Sequence, residues 1–273
     1  MTIKSILVAL EVDAPSKPLL SSAIGLARRF DAELHGVCAA QPSLGLIAVE
    51  GAVVIDHVYL EERREIERRL EEAEELFRTT VPVALTAKWR GYLESPSRTI
   101  IEAARGADLV MMRSNHTHGG DEMRHADPGE VVLGCGRPVL LAGERISSIS
   151  ASKVLIGWKD EKAARRAVAD ALPFLVAADE VFVVTVDEGD FGRAQVSLDD
   201  AAGWLRLHGV KVRPDIRPKT DSPAQLLEAI YREKGCDLLV TGAYGHNRLR
   251  ERLFGGVTQE LMTDAGLNRL MSS

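Results

Sequence analysis

Two matching apolar runs decide the fold: Ser5-Ile-Leu-Val-Ala-Leu10 near the start of the chain, and Lys153-Val-Leu-Ile-Gly-Trp158 just past its middle. A continuous apolar run of this length is typical of a strand buried on both faces, as in a parallel sheet. A long internal repeat sets the architecture of a whole chain. We therefore interpret each run as the first strand of one half of the protein.

The pattern that follows each run is also repeated. In each half a Ser-Pro pair, at Ser95 and at Ser222, predicts a helix start, and an Asp before an apolar run, at Asp108 and at Asp237, predicts a strand. Strands that alternate with helices favour βαβ units with right-handed crossovers. The sequence therefore predicts an α/β fold of two tandem, doubly wound, Rossmann-like domains, each a five-stranded, mainly parallel sheet flanked by helices. The helical spacing after the first strands is carried by Leu19, Ala23, Leu26, Ala27 and Phe30, and by Ala163, Ala167, Ala171, Leu172 and Leu175.

A Ser-rich stretch without periodicity, residues 143–152, is the natural linker between the halves. The expected domains are residues 1–147 and 148–273, and each is long enough to bury its own core. The first carries an addition, residues 41–57, before a long charged helix from about Val58 to Phe77. Its apolar stripe predicts one buried face, and its many Glu and Arg residues predict a solvated face with i to i+4 ion pairs. The stripe consists of Ile66, Leu70, Ala73 and Phe77.

Composition limits the partners and the compartment. Hydrophobic residues make up 45% and charged residues 27% of the chain, which predicts a packed globular fold. The net charge of -6, with no basic stripe, argues against a nucleic acid partner. Three scattered cysteines, Cys38, Cys135 and Cys236, suit free thiols in a reducing cytoplasm. We find neither a signal peptide nor a membrane span, so we expect a cytoplasmic protein without a membrane partner.

A glycine-punctuated loop follows the predicted strand that ends at Thr241. It reads Gly242-Ala-Tyr-Gly245-His-Asn-Arg-Leu-Arg-Glu-Arg-Leu-Phe-Gly255-Gly256-Val257-Thr258, and a helical stretch comes next. Glycines let a backbone approach an anion closely, and the first N–H groups of a helix attract one. The carboxyl end of a parallel strand is also where open α/β sheets bind ligands. This loop therefore predicts a phosphate site, whereas a helix cap, a turn and close packing are the alternative explanation of its glycines.

The spacing of Gly242, Gly245 and Gly255 resembles the nucleotide-binding signature of the universal stress protein family, some of whose members carry two such domains in tandem. The resemblance implies an adenine nucleotide alpha hydrolase-like fold. It also implies that this fold binds ATP, or AMP or ADP, with or without Mg²⁺. It implies that adenine and ribose are held by Gly157, Trp158, Lys159 and Val186. It assigns the phosphates to Gly242, Gly245, Gly255, Gly256, Val257 and Thr258. His246 and Arg248 are cations inside the loop that could meet a phosphate.

The chain departs from the family pattern at two positions. The usual acidic residue after the first strand is Lys159, with Asp160 next to it as a replacement, and the usual Ser or Thr after the third glycine is Gly256. The resemblance also implies that the last strands of the two halves pair as a pseudo-dimer within one chain. Arg269 is expected to weaken the second of these strands, and whether the chain also forms a homodimer is left open.

The first half lacks the glycine spacing at the equivalent place, although Glu11 keeps the acid. Asp127 and Glu130 stand at the head of the next helix, where they satisfy its N–H groups and would repel a triphosphate. We therefore expect a degenerate nucleotide site there. The nearby histidines could also supply metal ligands, but a flexible polar loop explains them better and we expect no metal. They are His116, His118 and His125, with Asp121.

Three functions are consistent with these features. A regulatory protein that senses an adenine nucleotide and passes that state to a protein partner requires only the loop. A slow ATPase or an adenylyl-transferring enzyme requires positioned metal ligands or a base, and the sequence shows no such set and no candidate catalytic residue. Motifs of P-loop enzymes, hydrolases and NAD enzymes are missing as well. The third function is a scaffold that binds no nucleotide and acts by protein contact alone.

Overall fold

The computed structural model describes residues 2–14, 16–43, 52–114, 122–143, 149–187, 189–219, 222–243 and 266–273. The strands in these stretches are β1 (Ser5–Leu10), β2 (Glu33–Ala39), β3 (Ala87–Tyr92), β4 (Leu109–Arg113), β5 (Val139–Ala142), β6 (Lys153–Trp158), β7 (Glu180–Asp187), β8 (Val212–Pro218), β9 (Leu238–Gly242) and β10 (Arg269–Ser272). The helices are α1 (Lys17–Phe30), α2 (Ala52–Thr80), α3 (Pro96–Ala103), α4 (Pro128–Gly134), α5 (Lys162–Leu175), α6 (Phe191–Leu207) and α7 (Pro223–Lys234), and a 3₁₀ turn spans Ala104–Gly106.

All these strands form one sheet, in the order β3-β2-β1-β4-β5-β10-β9-β6-β7-β8. Neighbouring strands are parallel except β5 and β10, which pair antiparallel at the centre. Read outward from that pair, both halves have the same strand order. The structure therefore confirms the predicted α/β class with a large, mostly parallel sheet flanked by helices. It also joins the last strands of the two halves, as the resemblance implies.

An aspartate at an equivalent position anchors the first strand in each half. Asp108, before β4, accepts hydrogen bonds from the two backbone N–H groups at the start of β1, at 2.8 and 3.1 Å. Asp237, before β9, accepts two equivalent bonds at the start of β6, at 3.2 and 3.1 Å. These carboxylates accept hydrogen bonds from backbone N–H groups at the amino ends of β1 and β6, where the ladder hydrogen bonds of the sheet begin. The repeat seen in the sequence thus extends to individual hydrogen bonds.

The core lies on both faces of the sheet. On one face α1, α2, α5 and α6 share a single hydrophobic cluster that runs across both halves, and the Phe30 and Phe174 rings meet edge to face at 5.1 Å. On the other face α3 and α4 cover the first half and α7 covers the second. The predicted stripe of α2 is buried at Ile66, Ala73 and Phe77, and its polar side carries the predicted i to i+4 pairs. None of the helices in the described stretches is long and apolar enough to cross a membrane.

Helix starts follow the sequence signals. Ser222 and Asp127 cap α7 and α4, each accepting a hydrogen bond from the backbone N–H three residues on. β10 forms despite Arg269, which is fully buried in it, and this short strand pairs with both β5 and β9. Pairing on both sides supplies the backbone hydrogen bonds that hold such a strand in place.

Candidate functional site

The strand order reverses at two places in the sheet. β1 lies between β2 and β4 in the first half, and β6 lies between β7 and β9 in the second. Ligands of open α/β sheets bind at such switch points, in the crevice at the carboxyl ends of the two strands. We call the carboxyl edge of β1 and β4 the first crevice and that of β6 and β9 the second crevice.

Equivalent positions in the two crevices carry different chemistry. Glu11 follows β1, whereas Lys159 follows β6. β4 ends at Arg113, whereas β9 ends at Gly242. A carboxylate and a guanidinium therefore flank the first crevice, and a lysine and a glycine flank the second.

A buried ion cluster occupies the first crevice. Glu11 Oε2 lies 4.0 Å from Arg113 Nε and 3.9 Å from His125 Nδ1. Burial raises the pKa of Glu11, and the positive charges of His125 and Arg113 oppose that rise. The acid that this half retains is thus already engaged by Arg113 and His125 of the protein itself.

Arg124, the residue before His125, extends this cluster to two further elements. Its Nε and Nη2 donate to the two carboxylate oxygens of Asp13 at 2.6 and 2.9 Å. Nη2 also donates to Glu65 of α2 at 3.4 Å, and Nη1 lies 3.8 Å from Glu62. The hydrogen bond from Arg124 holds the pKa of Asp13 below its ordinary value, and Asp13 in turn raises the pKa of Arg124. One guanidinium thereby ties the loop after β1 to the long helix.

A small cavity lies at the first crevice. A cavity of about 10 Å³ lies among ten residues that include Glu11 and Arg124. This is room for roughly one water molecule. This cavity is too small for a nucleotide.

Two glycines, Gly157 of β6 and Gly242 of β9, lie at the base of the second crevice and place no side chain there. A Cβ at Gly242 would lie 2.4 Å from the backbone nitrogen of Ala164, and 2.5 Å from the carbonyl carbon of Ala163. Both atoms belong to the first turn of α5 and cannot rotate aside. A Cβ at Gly157 would lie 2.8 Å from the Leu227 side chain. Close packing against backbone is therefore enough to require glycine at Gly242, whereas at Gly157 the nearest atom belongs to a flexible side chain that can shift.

Trp158 and Val186 were predicted to lie beside the adenine. The Trp158 indole turns into the core, and its Nε1 donates to Ser197 Oγ of α6 at 2.9 Å. Val186 is half-buried near the end of β7, the strand next to β6. Their backbones lie at the carboxyl edge of the sheet, but the indole is not available to stack on a base.

The residues after β6 place charges of both signs beside the second crevice. Lys159 is half-exposed, and its Nζ lies 3.5 Å from Glu161 Oε1. Asp160, which the sequence suggested as the replacement acid, instead pairs with Arg165 of α5. Glu161, with a side chain 17% exposed, is the more buried of the two carboxylates.

Thr241 brings a buried hydroxyl to the same edge. The residue is 5% exposed, and its Oγ1 has no hydrogen-bond partner among the described residues. Its Cγ2 lies 3.1 Å from the position of a Cβ on Gly157, its register partner on β6, so the side chain stands on the sheet face that such a Cβ would share. An unsatisfied buried hydroxyl costs about 1–3 kcal/mol. A hydrogen-bonding group that reached this edge would recover that free energy.

The remaining predicted site residues lie outside the described residues. They are Gly245, His246, Arg248, Gly255, Gly256, Val257 and Thr258. His116, His118 and Asp121 of the alternative metal loop lie outside them too. Within the described ranges, no group of three or more His, Cys, Asp or Glu residues could hold a metal ion.

The sequence did not identify Arg113, Arg124 or Glu161 as site residues. Arg113 had one usable signal, because it is the charged residue that ends the apolar strand Leu109–Arg113 at a switch point. Arg124 had none, because its partners on α2 and after β1 are far away in the chain. Glu161 could have been found from its place between β6 and the first turn of α5.

Comparisons with known proteins agree on the fold. No protein-family model matches the sequence, and no curated protein matches it. A universal stress protein from Archaeoglobus fulgidus has a similar solved structure, with a TM-score of 0.71 and 17% identity over 98% of this chain and 96% of that one. A functionally unknown protein from Pseudomonas aeruginosa is also similar, with a TM-score of 0.61 and 15% identity over 99% of this chain and 92% of that one. The chain therefore has the fold of that universal stress protein over nearly its whole length.

Proposed function

We propose that this chain is a cytoplasmic regulatory protein of the universal stress protein kind, which binds one adenine nucleotide in the second crevice and acts through protein contacts. The observation that carries the proposal is the contrast between the crevices. Arg113 and Glu11 occupy the first, whereas β9 ends at Gly242 in the second and the sequence continues into the glycine-punctuated loop. The glycine that ends β9 leaves backbone, and not a charged side chain, at the position that Arg113 fills in the first crevice, and backbone N–H groups suit an anionic ligand.

The described residues suit the parts of such a ligand. The backbone edge at Gly157, Trp158, Lys159 and Val186 would hold adenine and ribose, as the resemblance implies. Gly242 and the glycines of the loop would hold the phosphates, and Mg²⁺, where present, would accompany them. The buried Thr241 hydroxyl offers a hydrogen bond at the same edge. Either ATP or one of its shorter relatives, AMP or ADP, is consistent with these groups.

A thermal-shift series with ATP, ADP and AMP, each with and without Mg²⁺, tests the proposal. A ligand that binds only the folded protein raises the melting temperature by mass action, by an amount that grows with its concentration. Gly245→Glu would put a negative charge into the phosphate loop and should abolish the shift. Gly106→Glu is the matched control, because a Cβ at Gly106 meets no atom within 4 Å and the residue lies in the first half. No shift with any nucleotide at millimolar concentration would refute the proposal.

The packing of Gly157 and Gly242 favours a second candidate, a scaffold that binds no nucleotide. Backbone atoms of α5 alone require Gly242, and Gly157 packs closely against Leu227 and Thr241, so the presence of both glycines is also consistent with a purely structural role. The two functions differ in the same thermal-shift series, since a scaffold shows no nucleotide-dependent change. A phosphate-release assay on the same samples separates a regulatory protein from a slow ATPase, because regulation requires binding without turnover.

A further inference from the structure

Residues 57–65 of α2 contact the rest of the protein through charged and polar groups. From residue 57 to residue 65 no side chain of the helix is buried, and Val58 is 53% exposed. Burial begins at Ile66. Glu62 and Glu65, the residues that face Arg124, lie within this unburied part. Contacts with Arg124, together with the hydrogen bond that the Ser43 N–H donates to Glu62 Oε2 at 3.1 Å, therefore hold this stretch, whereas apolar packing holds the helix from Ile66 onward.

The turn that carries Arg124 is itself well anchored. The carbonyl of Met123 accepts a hydrogen bond from the Gln41 N–H at 2.8 Å, and the Asp127 N–H donates to Ser97 Oγ at 2.9 Å. Ala126 is buried in the cluster beneath α4. Because these contacts fix the turn, the Arg124 guanidinium can hold residues 57–65 of α2 in place.

We propose that Arg124 is a latch, which fixes residues 57–65 of α2 against the loop after β1 and so keeps the first crevice closed over Glu11. Arg124 also lines the small cavity at this crevice. This inference rests on described residues of the first half alone and does not depend on nucleotide binding in the second.

The charges around the latch explain why its removal should open the crevice. Asp13, Glu62 and Glu65 face Arg124, and Glu11 lies beside the adjacent His125. Without the guanidinium, carboxylates from α2 and from the loop after β1 would face each other and repel. Arg113 pairs with Glu11, and Arg68 and Arg69 pair with Glu65. Arg69, which belongs to α2, also attracts Asp13 electrostatically, whereas Arg124 donates hydrogen bonds to both Asp13 and Glu65.

Hydrogen exchange measured by mass spectrometry on the full chain tests the latch. In Arg124→Ala, we expect amides of residues 57–65 to exchange about 10-fold faster or more, the factor that corresponds to losing about 1.4 kcal/mol. Peptides from β6 to β9 should keep their wild-type rates. Arg98→Ala is the matched control, because Arg98 pairs with Glu102 on one exposed helix, and it should change neither region. Wild-type rates at 57–65 in Arg124→Ala, or a uniform increase along the chain, would overturn the proposal.

Chemical rescue and a conservative variant distinguish the two-point contact of the guanidinium from the effect of positive charge alone. Ethylguanidinium can occupy the space left in Arg124→Ala and restore slow exchange at 57–65, whereas ethylammonium at the same ionic strength should not. Arg124→Lys keeps the charge but not the two-point contact with Asp13, and we expect intermediate exchange. If Arg124→Ala fails to fold, hydrogen exchange at residues 57–65 in Arg124→Lys tests the latch by itself. Equal rescue by both cations, rescue by neither, or wild-type exchange in Arg124→Lys would contradict the latch.

Discussion

Replacing Gly242 by alanine tests the structural basis of the second crevice. The added Cβ would lie 2.4 Å from Ala164 N, 2.5 Å from Ala163 C and 2.9 Å from Ala164 Cα. All three atoms are backbone of α5, so no side-chain rotation relieves the contact. Ordinary van der Waals separation is about 3.5–4.0 Å, so the strand end and the helix must move apart by about 1 Å. Forced shifts of this kind in a packed core typically cost about 1–3 kcal/mol.

Urea unfolding, followed by circular dichroism, measures that cost. We expect Gly242→Ala to lower the free energy of unfolding by about 1–3 kcal/mol with an unchanged dependence on urea. Gly25→Ala is the control, because Gly25 lies inside α1 with no atom within 4 Å of a Cβ, and the change should stabilise the helix by about 0.5–1 kcal/mol. If Gly242→Ala leaves stability within about 0.5 kcal/mol of wild type, close packing is not the reason for this glycine.

Three further changes test the charges and the core around the crevices. Asp13→Asn should lower stability by about 1–3 kcal/mol at neutral pH. Because the pKa of Asp13 is lowered, that loss should fade as the pH falls below about 4, and a pH-independent loss would count against the pairing with Arg124. Burial raises the pKa of Glu11, so the ionised carboxylate costs stability: Glu11→Gln should raise the urea midpoint at pH 7, and a lower midpoint there would contradict this. The advantage should disappear as the pH falls toward about 4. Trp158→Phe removes the hydrogen bond to Ser197 and should cost about 0.5–1.5 kcal/mol while nucleotide affinity stays constant; a large loss of affinity would mean that the indole contacts the ligand.

The fold could be predicted because its signals are local and repeated. Runs such as Ser5–Leu10 and Lys153–Trp158 are apolar throughout, since a central parallel strand is buried on both faces. β10 was harder, because Arg269 interrupts its apolar pattern and the strand depends on neighbours on both sides. Those neighbours are contributed by other parts of the chain and leave no mark in the four residues themselves.

The candidate site could be predicted only in outline. The glycine spacing pointed to the carboxyl end of β9, and Gly242 does end that strand. Spacing could not reveal that the backbone of α5 already requires a glycine there, because that contact forms only when strand and helix pack. The ion cluster of the first crevice has the same origin. Arg124 and Asp13 are brought together by the fold, and ion pairs between distant residues have no sequence period.

Calorimetric titration of the full chain with ATP tests the central claim most directly, because it reports both binding and stoichiometry. We predict one nucleotide per chain in the wild-type protein and in Gly106→Glu, and no binding in Gly245→Glu. The first crevice, closed by Glu11, Arg113 and Arg124, should contribute no second site. Absence of binding to the wild-type protein at millimolar ATP, or binding that survives in Gly245→Glu, would contradict a nucleotide site in the second crevice.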